Sequence, residues 1–470
     1  MDARAFDLVV IGSGPAGQKG AIGAAKRGKS VAVVDRPASL GGVSLHSGTI
    51  PSKTLREAIL YLTGFRQRSF YGRDYVLKDE ISAADLAFRV QAVKERELHV
   101  VRAQLRRNRV TVVEGMARFV DPHTLEVAAA DGQASRLRAE HVLIACGTRP
   151  AHHPSIAIDG KRVVDADQLL SVGGLPRELI VVGAGVIGLE YASMLTALGI
   201  RVTVIEQRPS ILEFVDREIV DALTASMRQA GTTLRLGEKV VSVTRDERRR
   251  VVALLESGKE IHADGLLYTV GRRTNADLLD LAAAGLSADV RGRLAVDTSF
   301  RTSVPHIYAA GDVIGFPSLA SASMEQGRVA SAHMFGETTE SRLDLLPYGI
   351  YTVPEISMVG RTEQELTAAR VPYEVGVARY EEIAKAQMLG AETGLLKLLF
   401  DPKTRKLLGV HAFGEGASEI IHVGQAVLAF GGTIDYFRDM TFNYPTLAEA
   451  YKVAGLDGLN RVSSLGGFVV

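Results

Sequence analysis

A single cysteine, Cys146, is all that 470 residues contain. It rules out an internal disulfide and argues against a cysteine-based metal site. Cys146 lies in the apolar run Val142-Leu143-Ile144-Ala145-Cys146-Gly147, at the end of an expected strand, so a buried packing thiol suits it better than a reactive one. Neither sign of charge is in excess: Lys plus Arg number 55 and Asp plus Glu 54. Nothing in that balance calls for nucleic acid or an anionic membrane, and the run Arg245-Asp246-Glu247-Arg248-Arg249-Arg250 reads as a solvated hairpin tip. Long apolar runs are missing too; none reaches the ~18 residues that suggest a membrane span. The N-terminus shows no basic n-region or apolar h-region of a signal peptide, so a soluble, cytoplasmic protein is the expectation. His46, His411 and His422 have no partners at metal-ligand spacing, and no metal is expected.

The rest of the composition is that of a globular protein, with 46% apolar and 23% charged residues. The length implies about three domains. Near the N-terminus, Asp7-Leu8-Val9-Val10-Ile11 is a short apolar run suited to a buried parallel strand. It leads into Gly12-Ser13-Gly14-Pro15-Ala16-Gly17, a helix of small residues to about Arg27, and a second strand, Ser30 to Val34, that ends at Asp35 and Arg36. Each glycine has a task. Gly12 permits the tight turn, Gly14 lets backbone approach a pyrophosphate, and Gly17 allows close helix–strand packing. Pro15 suits an early helical position, and the amides at the helix start meet phosphates. Asp35 comes 23 residues after Gly12, near the expected distance for a carboxylate that grips a ribose hydroxyl.

The pattern recurs about 170 residues later. Leu179-Ile180-Val181-Val182 runs into Gly183-Ala184-Gly185-Val186-Ile187-Gly188, a helix from Leu189 to Leu198, and a strand from Val202 to Ile205 that ends at Glu206. Gly183 to Glu206 again spans 23 residues. One GxGxxG is a weak signal; two complete units imply two dinucleotides, one resident and one exchanging. Glu206 is the residue type that holds an unphosphorylated ribose and repels a 2′-phosphate, whereas Arg208 is suited to hold that phosphate. A charge-assisted contact is worth about 1.5–3 kcal/mol, and repulsion from Glu206 opposes it, so the choice between NAD and NADP stays open here.

Between the two units, residues Ile81 to Arg107 have the spacing of a long helix. Val110 to Gly115 returns to the sheet, a β-hairpin region follows to Leu137, and strand 142–146 leads out through Gly147-Thr148-Arg149-Pro150. After Tyr268 to Arg273, including Gly271, the chain re-enters the first domain. Pro305 to Val313 forms a strand ending at Gly311-Asp312, and Ser321 to Phe335 a helix. From about Leu346 strands and helices alternate without a glycine fingerprint.

Leu40-Gly41-Gly42-Val43-Ser44-Leu45-His46-Ser47-Gly48-Thr49-Ile50-Pro51-Ser52-Lys53 resembles the active-site helix of the pyridine nucleotide-disulfide oxidoreductases. That family has its redox cysteines at the positions of Ser44 and Thr49. A hydroxyl does not cycle between thiol and disulfide, so lipoamide, glutathione and mercuric reductase activities are excluded. Asn443-Tyr444-Pro445-Thr446-Leu447-Ala448-Glu449 resembles the segment in which the disulfide enzymes carry a catalytic histidine; Tyr444 stands there, and Glu449 is kept. The loss of the thiols and of their base agree with each other. The chain is similar over its whole length to a branch of the family that already has Thr and Tyr at two of these positions. Ser44 departs from that branch, which keeps one cysteine there.

The resemblance implies an α/β fold with two Rossmann-like domains, for FAD and NAD(P), and a C-terminal α+β dimerisation domain. The expected spans are 1–150 for FAD binding, 151–271 for NAD(P), 272–345 for the return to the FAD domain, and 346–470 for dimerisation. By the same resemblance Lys53 lies near flavin N5 and pairs with Glu190, the two tuning flavin charge. Asp312 binds the ribityl chain, and Leu319-Ala320 opens a helix facing the flavin. Gly41, Gly42, Val43, Ser44, Gly48, Thr49, Gly147 and Gly311 line the FAD side; Gly183, Gly185, Val186, Ile187, Gly188, Glu206, Arg208 and Gly271 line the NAD(P) side. The implied activity is reversible hydride transfer from NADPH to NAD⁺ by way of the flavin, in a homodimer or larger homo-oligomer. Two rival readings stand beside it: an NAD(P)H diaphorase or oxidase using quinone or O₂, and a non-catalytic flavin- and nucleotide-binding interaction protein.

Overall fold

A computed structural model describes residues 3–72, 74–169, 172–391 and 393–466. The outermost residues of the expected first and last domains lie outside these. The chain divides into two compact units: one built from Met1–Leu55, Ala87–Ala151 and Gly271–Leu343, the other from Arg56–Leu86, His152–Val270 and Asp344–Val470. Among the described residues no helix is long and apolar enough to cross a membrane.

In the first unit a parallel sheet runs in the order Thr111–Glu114, Val31–Asp35, Arg4–Ile11, Ala134–Ile144, with Ile307–Ala309 also beside the last. Period-2 alternation splits its apolar residues between two faces. Leu8, Val10, Val33 and Leu143 point to the helices Pro15–Lys26 and Ala320–Met334, while Val9, Ile11, Val34 and Val142 pack against Phe119, Leu125 and Leu294. Both sets are buried, so truncating one of them, as in Leu143→Ala, costs about 2–5 kcal/mol.

The segment before the crossover differs from the sequence expectation. The last strand of the hairpin region and the expected strand 142–146 are one continuous strand, Ala134–Ile144, which pairs antiparallel with Thr124–Ala128 and parallel with Arg4–Ile11. Its outer half alternates in exposure and its inner half is wholly buried, so the sequence pattern changes character within a single element. The strand before Gly311 is also shorter than expected, Ile307–Ala309, because Asp312–Ile314 turns at once into a 3₁₀ helix. Exit and return meet as a two-stranded ladder, Thr148–Pro150 against Arg272–Thr274.

In the second unit a parallel sheet carries Thr233–Leu236, Arg201–Glu206, Glu178–Val182, Gly265–Tyr268 and Val163–Asp165 in that order. Strands Val240–Arg245 and Val251–Leu255 form a hairpin whose tip is the charged run; its ends are tied down, Arg245 to Asp159 and Arg250 to Glu178. The C-terminal part is an antiparallel sheet ordered Tyr348–Ile350, Ile356–Gly360, Leu407–Phe413, Leu395–Phe400, Glu374–Arg379, covered by helices Ala417–Ala429 and Ala450–Gly466.

Lys397 joins the two halves of this second unit. Its side chain is fully buried, and its ammonium reaches Asp216 at 2.9 Å, Glu218 at 3.0 Å and Glu363 at still closer range. Asp216 caps helix Arg217–Ala230, accepting the Glu218 amide, and Glu363 opens helix Glu363–Ala368. The three carboxylates converge closely enough to hold a cation, and the Lys397 ammonium sits among them. Burial alone would raise the Asp216 carboxyl, but His411, Lys397 and the Glu363 amide hold it below the ordinary range.

Candidate active site

Both dinucleotide motifs close in the same way. A Cβ on Gly17 would lie 1.9 Å from the Gly12 carbonyl oxygen, and one on Gly188 2.0 Å from that of Gly183. Glycine is required at those crossings by contact alone. The middle glycines face open space instead: a Cβ on Gly14 would meet nothing nearer than the Gly42 Cα at 4.0 Å, and one on Gly185 nothing within that range. Each ends in a helix with no side-chain cap, Pro15–Lys26 with Pro15 in its first turn and Val186–Ala197 containing Val186, Ile187 and Gly188. Uncapped amides at a glycine-bared helix start are what a pyrophosphate needs.

In the first unit Ser13 is the hub, and sequence reading passed over it. The side chain is fully buried; its amide donates to Asp35 Oδ2 at 2.8 Å, and its hydroxyl donates to the same oxygen. The Gly41 amide in turn donates to Ser13 Oγ at 2.8 Å. Asp35 therefore ties the Gly12–Gly14 turn to the Gly41–Gly42 turn. Its other oxygen, Oδ1, accepts the Arg36 amide at 2.8 Å, which leaves room there for a hydroxyl donor. A serine between two fingerprint glycines was the only hint of this link.

Ser44 stands in the short helix Val43–His46, its hydroxyl donating to the Gly41 carbonyl at 3.1 Å. Gly48 precedes helix Thr49–Leu62, which carries Lys53 half-buried in its second turn. At the C-terminal end of the sheet, Asp312 Oδ2 accepts the Thr148 hydroxyl at 3.1 Å, and Arg272 donates from Nε to Thr148 Oγ1 at 2.9 Å and from Nη2 to its carbonyl at 3.0 Å. Thr148 and Arg272, missed by the sequence reading, thus brace Asp312 from the crossover ladder between Gly147 and Gly271. Helix Ala320–Met334 starts at Leu319 without a side-chain cap and packs so tightly on its neighbour that a Cβ on Gly327 would fall 2.1 Å from the Ala16 carbonyl. The free glycine surface at Gly14, the open side of Asp35 and the uncapped helix starts fit an adenine dinucleotide such as FAD.

Cys146, just past the strand end, packs against the sheet's core and is partly exposed. Desolvation pushes its thiol up to about 12, so it is not a nucleophile near neutral pH.

In the second unit Glu190 is only 4% exposed, so it is not a solvated helix-start carboxylate. Its Oε1 accepts the Tyr351 amide at 2.9 Å. The Val353 amide donates to Ser193 Oγ at 3.1 Å, and the buried Arg56 gives its Nε–H to the Thr352 carbonyl at 3.1 Å. The strip 351–353 is thereby bound from both sides, which sets the direction of the Glu190 carboxylate. Glu206 and Arg208 form an ion pair, with Nε to Oε1 at 3.0 Å and Nη2 to Oε2 at 3.3 Å. Burial would raise the Glu206 carboxyl, but Arg208 and the Ala184 and Arg208 amides outweigh it and hold the group below its usual range. Tyr444, at the place of the disulfide enzymes' histidine, is 72% exposed. His411 is buried with Nε2 on the Arg361 carbonyl, His46 bonds Leu40, and His422 bonds Gln425, so each has a protein partner.

Fold and site together define an oxidoreductase with one glycine-fingerprint motif for a flavin dinucleotide and another for a nicotinamide dinucleotide. Two family models match the chain: pyridine nucleotide-disulphide oxidoreductase over residues 6–327, and the dimerisation domain of the same family over 346–454. The chain belongs to the pyridine nucleotide-disulphide oxidoreductase family, which works with FAD and NAD(P)(H). It is 52% identical over 469 residues, 99% of each chain, to the soluble pyridine nucleotide transhydrogenase of Mycobacterium tuberculosis, and 45% identical to that of Erwinia tasmaniensis, covering 97% of this chain and 98% of the relative. Among solved structures it is similar to LpdA from Mycobacterium tuberculosis, with a TM-score of 0.89 at 29% identity over 97% of this chain and 99% of that one. It is also similar to the HOCl-induced flavoprotein disulfide reductase RclA from Escherichia coli, with a TM-score of 0.86 at 27% identity over 96% and 99%.

Proposed function

We propose that this chain is a transhydrogenase, which moves a hydride reversibly from NADPH to NAD⁺ to give NADP⁺ and NADH. One observation carries the reading: both dinucleotide motifs are intact, while the positions of the family's thiol relay hold Ser44, Thr49 and Tyr444. Electrons that enter from a nicotinamide have no sulfur to pass to, so they leave to another nicotinamide. When bound, FAD supplies the two-electron carrier between them.

The residues of this chain bind, orient and tune. Gly12 to Gly17, Asp35, Gly41, Gly42 and Asp312 hold the resident dinucleotide; Gly183 to Gly188, Glu206 and Arg208 hold the exchanging one. Lys53 stabilises negative charge on the flavin, and in the second unit the Tyr351 amide aims the Glu190 carboxylate. No side chain serves as nucleophile or base, because a hydride moves between two nicotinamides without net proton transfer. The reaction is near thermoneutral, and nucleotide ratios set its direction. The 346–454 segment makes a homodimer, and the enzyme works in the cytoplasm.

The test is anaerobic stopped-flow: NADPH bleaches the flavin, and thio-NAD⁺ restores it faster than quinone or dioxygen does. Faster reoxidation by quinone would make the protein a diaphorase, and a colourless preparation that takes up no FAD would end the reading.

A further inference from the structure

Glu206 is saturated by its own chain. Oε1 accepts the Arg208 amide and Arg208 Nε–H, both at 3.0 Å; Oε2 accepts the Ala184 amide at 2.8 Å and Arg208 Nη2–H at 3.3 Å. A carboxylate offers about four acceptor positions, so none is left for the hydroxyls of a ribose. The side chain of Arg208 supplies one donor to each oxygen; if it leaves, one position opens on each. Arg208 uses only its Nε/Nη2 edge on the acid. The Nη1/Nη2 edge remains, on a guanidinium whose side chain is 47% exposed beside an acid at 6%. That remaining edge is a two-pronged fork of the kind that takes a phosphate. The backbone under both residues is fixed: the Gly237 amide donates to the Arg208 carbonyl and the Glu238 amide to the Glu206 carbonyl, both at 3.0 Å, and Pro209 restricts Arg208 further. Only the side chain of Arg208 is free to change place.

We propose that Arg208 is a two-position specificity residue that lets one site accept both nucleotides. This rests on the transhydrogenase reading. With NADP(H), Arg208 stays on Glu206, cancels its charge, and gives its outer edge to the 2′-phosphate. With NAD(H), Arg208 swings off, and the 2′- and 3′-hydroxyls take the acceptor positions it vacates. The acid then does not repel NADP, because the phosphate meets a neutralised pair, and NAD binds against the work of breaking that pair. The two effects bring two unlike ligands toward similar affinity, which an enzyme whose two substrates take turns requires.

The experiment measures binding of 2′,5′-ADP and of 5′-ADP to the FAD-loaded protein by calorimetry, in wild type, Arg208→Ala and Glu206→Gln. Neither probe carries a nicotinamide, so the result stands apart from hydride transfer. Arg208→Ala is expected to weaken 2′,5′-ADP by about 10–100-fold, the size of a charge-assisted contact, and to tighten 5′-ADP. Glu206→Gln is expected to weaken 5′-ADP and to tighten 2′,5′-ADP, since Arg208 then meets the phosphate with its positive charge no longer cancelled. An unchanged ratio in Arg208→Ala, equal weakening of both probes in that variant, or a loss of affinity for 2′,5′-ADP in Glu206→Gln would overturn the proposal. Stopped-flow with NADPH and thio-NAD⁺ on wild type separates the two claims: no hydride transfer with the binding pattern intact removes the function and leaves the switch.

Discussion

Asp35 in the first unit and Glu206 in the second each end the second strand of a dinucleotide motif, 23 residues after its first glycine. The turns they serve are built alike, down to Cβ clearances of 1.9 and 2.0 Å at the packing glycines. Both acids accept an amide from the fingerprint turn, Ser13 in one and Ala184 in the other. They part in what else they hold. Asp35 binds the Ser13 hydroxyl, which locks it to the Gly41 turn, and keeps a side open. Glu206 is covered by the half-exposed guanidinium of Arg208. A resident cofactor needs one fixed acceptor, whereas a site that releases and rebinds two ligands differing by a phosphate needs a charge it can uncover. The motif sets the shape, and the partner of the acid decides whether the ligand stays.

The largest effect expected from breaking this contrast is at Asp35. Asp35→Ala removes the acceptor for two groups of Ser13 and frees the Gly41 turn. FAD content, read from the visible absorbance of the purified protein, should fall to less than about a tenth of wild type, as loss of several hydrogen bonds to a charged group implies. Glu206→Ala, at the matching position, should stay fully yellow. Equal FAD loss in both variants would erase the distinction between the units.

Next in size is the buried ion network of the second unit. Lys397→Met leaves Asp216, Glu218 and Glu363 without their cation, and removing one member of a buried ion network costs about 3–5 kcal/mol. The pH dependence follows from Asp216, whose carboxyl is held low in the fold. In wild type its contribution is present above the ordinary carboxylate value near 3.8 and is lost as pH falls through the depressed one. Without Lys397 the carboxylates repel one another, so the variant gains stability as they protonate. The difference in urea midpoint between variant and wild type should be large at neutral pH and shrink toward pH ~4.5. A difference that does not change with pH would mean that packing, not charge, holds Lys397 in place.

Lys53→Met tests which effects are shared between nucleotides. Lys53 is proposed to serve the resident flavin, so its loss should slow flavin reduction by NADPH and by NADH alike, by about 10–100-fold as for one lost charge-assisted contact. Arg208→Ala should instead change the two in opposite directions. Rapid-mixing traces with each nucleotide give the comparison, and a nucleotide-selective loss in Lys53→Met would move that lysine into the substrate site.

The parts of this contrast that sequence made visible are the local ones. Strand Glu178–Val182, helix Val186–Ala197 and strand Arg201–Glu206 lie within a few residues of where apolar runs and glycine spacing put them, because a parallel strand buried on both faces can hardly be anything but apolar. Glu206 and Arg208 were legible as opposed charges, but not as a closed pair that fills every acceptor position on the acid. Likewise a lone lysine in the apolar strand Leu395–Phe400 gives no sign of three carboxylates from two distant helices. Ser13 between two glycines carries no pattern that marks it as a link between two turns. Strand Ala134–Ile144 was split in two because its exposure pattern changes where its neighbours change. Apart from the Glu206–Arg208 pair, two residues apart, what escaped was a contact between residues far apart in sequence, set by packing rather than by period.

The smallest effect is expected at Ser44, and it bears on why the first unit needs no sulfur. Ser44→Cys would restore a thiol in the helix Val43–His46, where serine now donates to the Gly41 carbonyl at 3.1 Å. Position 49 would still be threonine, and Cys146, the native thiol, lies just past a strand end with its pKa pushed up to about 12. A disulfide needs two sulfurs about 2 Å apart, so the new thiol has no local partner with which to cycle. The weak hydroxyl bond it replaces is worth about 1 kcal/mol, which limits any change at the turn. NADPH-to-thio-NAD⁺ turnover should therefore stay within about threefold of wild type. Reduction of an aromatic disulfide by NADPH should not appear above the wild-type level. If instead Ser44→Cys gained disulfide reductase activity, a single thiol would suffice as a relay, and the absence of cysteine would no longer explain why electrons return to a nicotinamide.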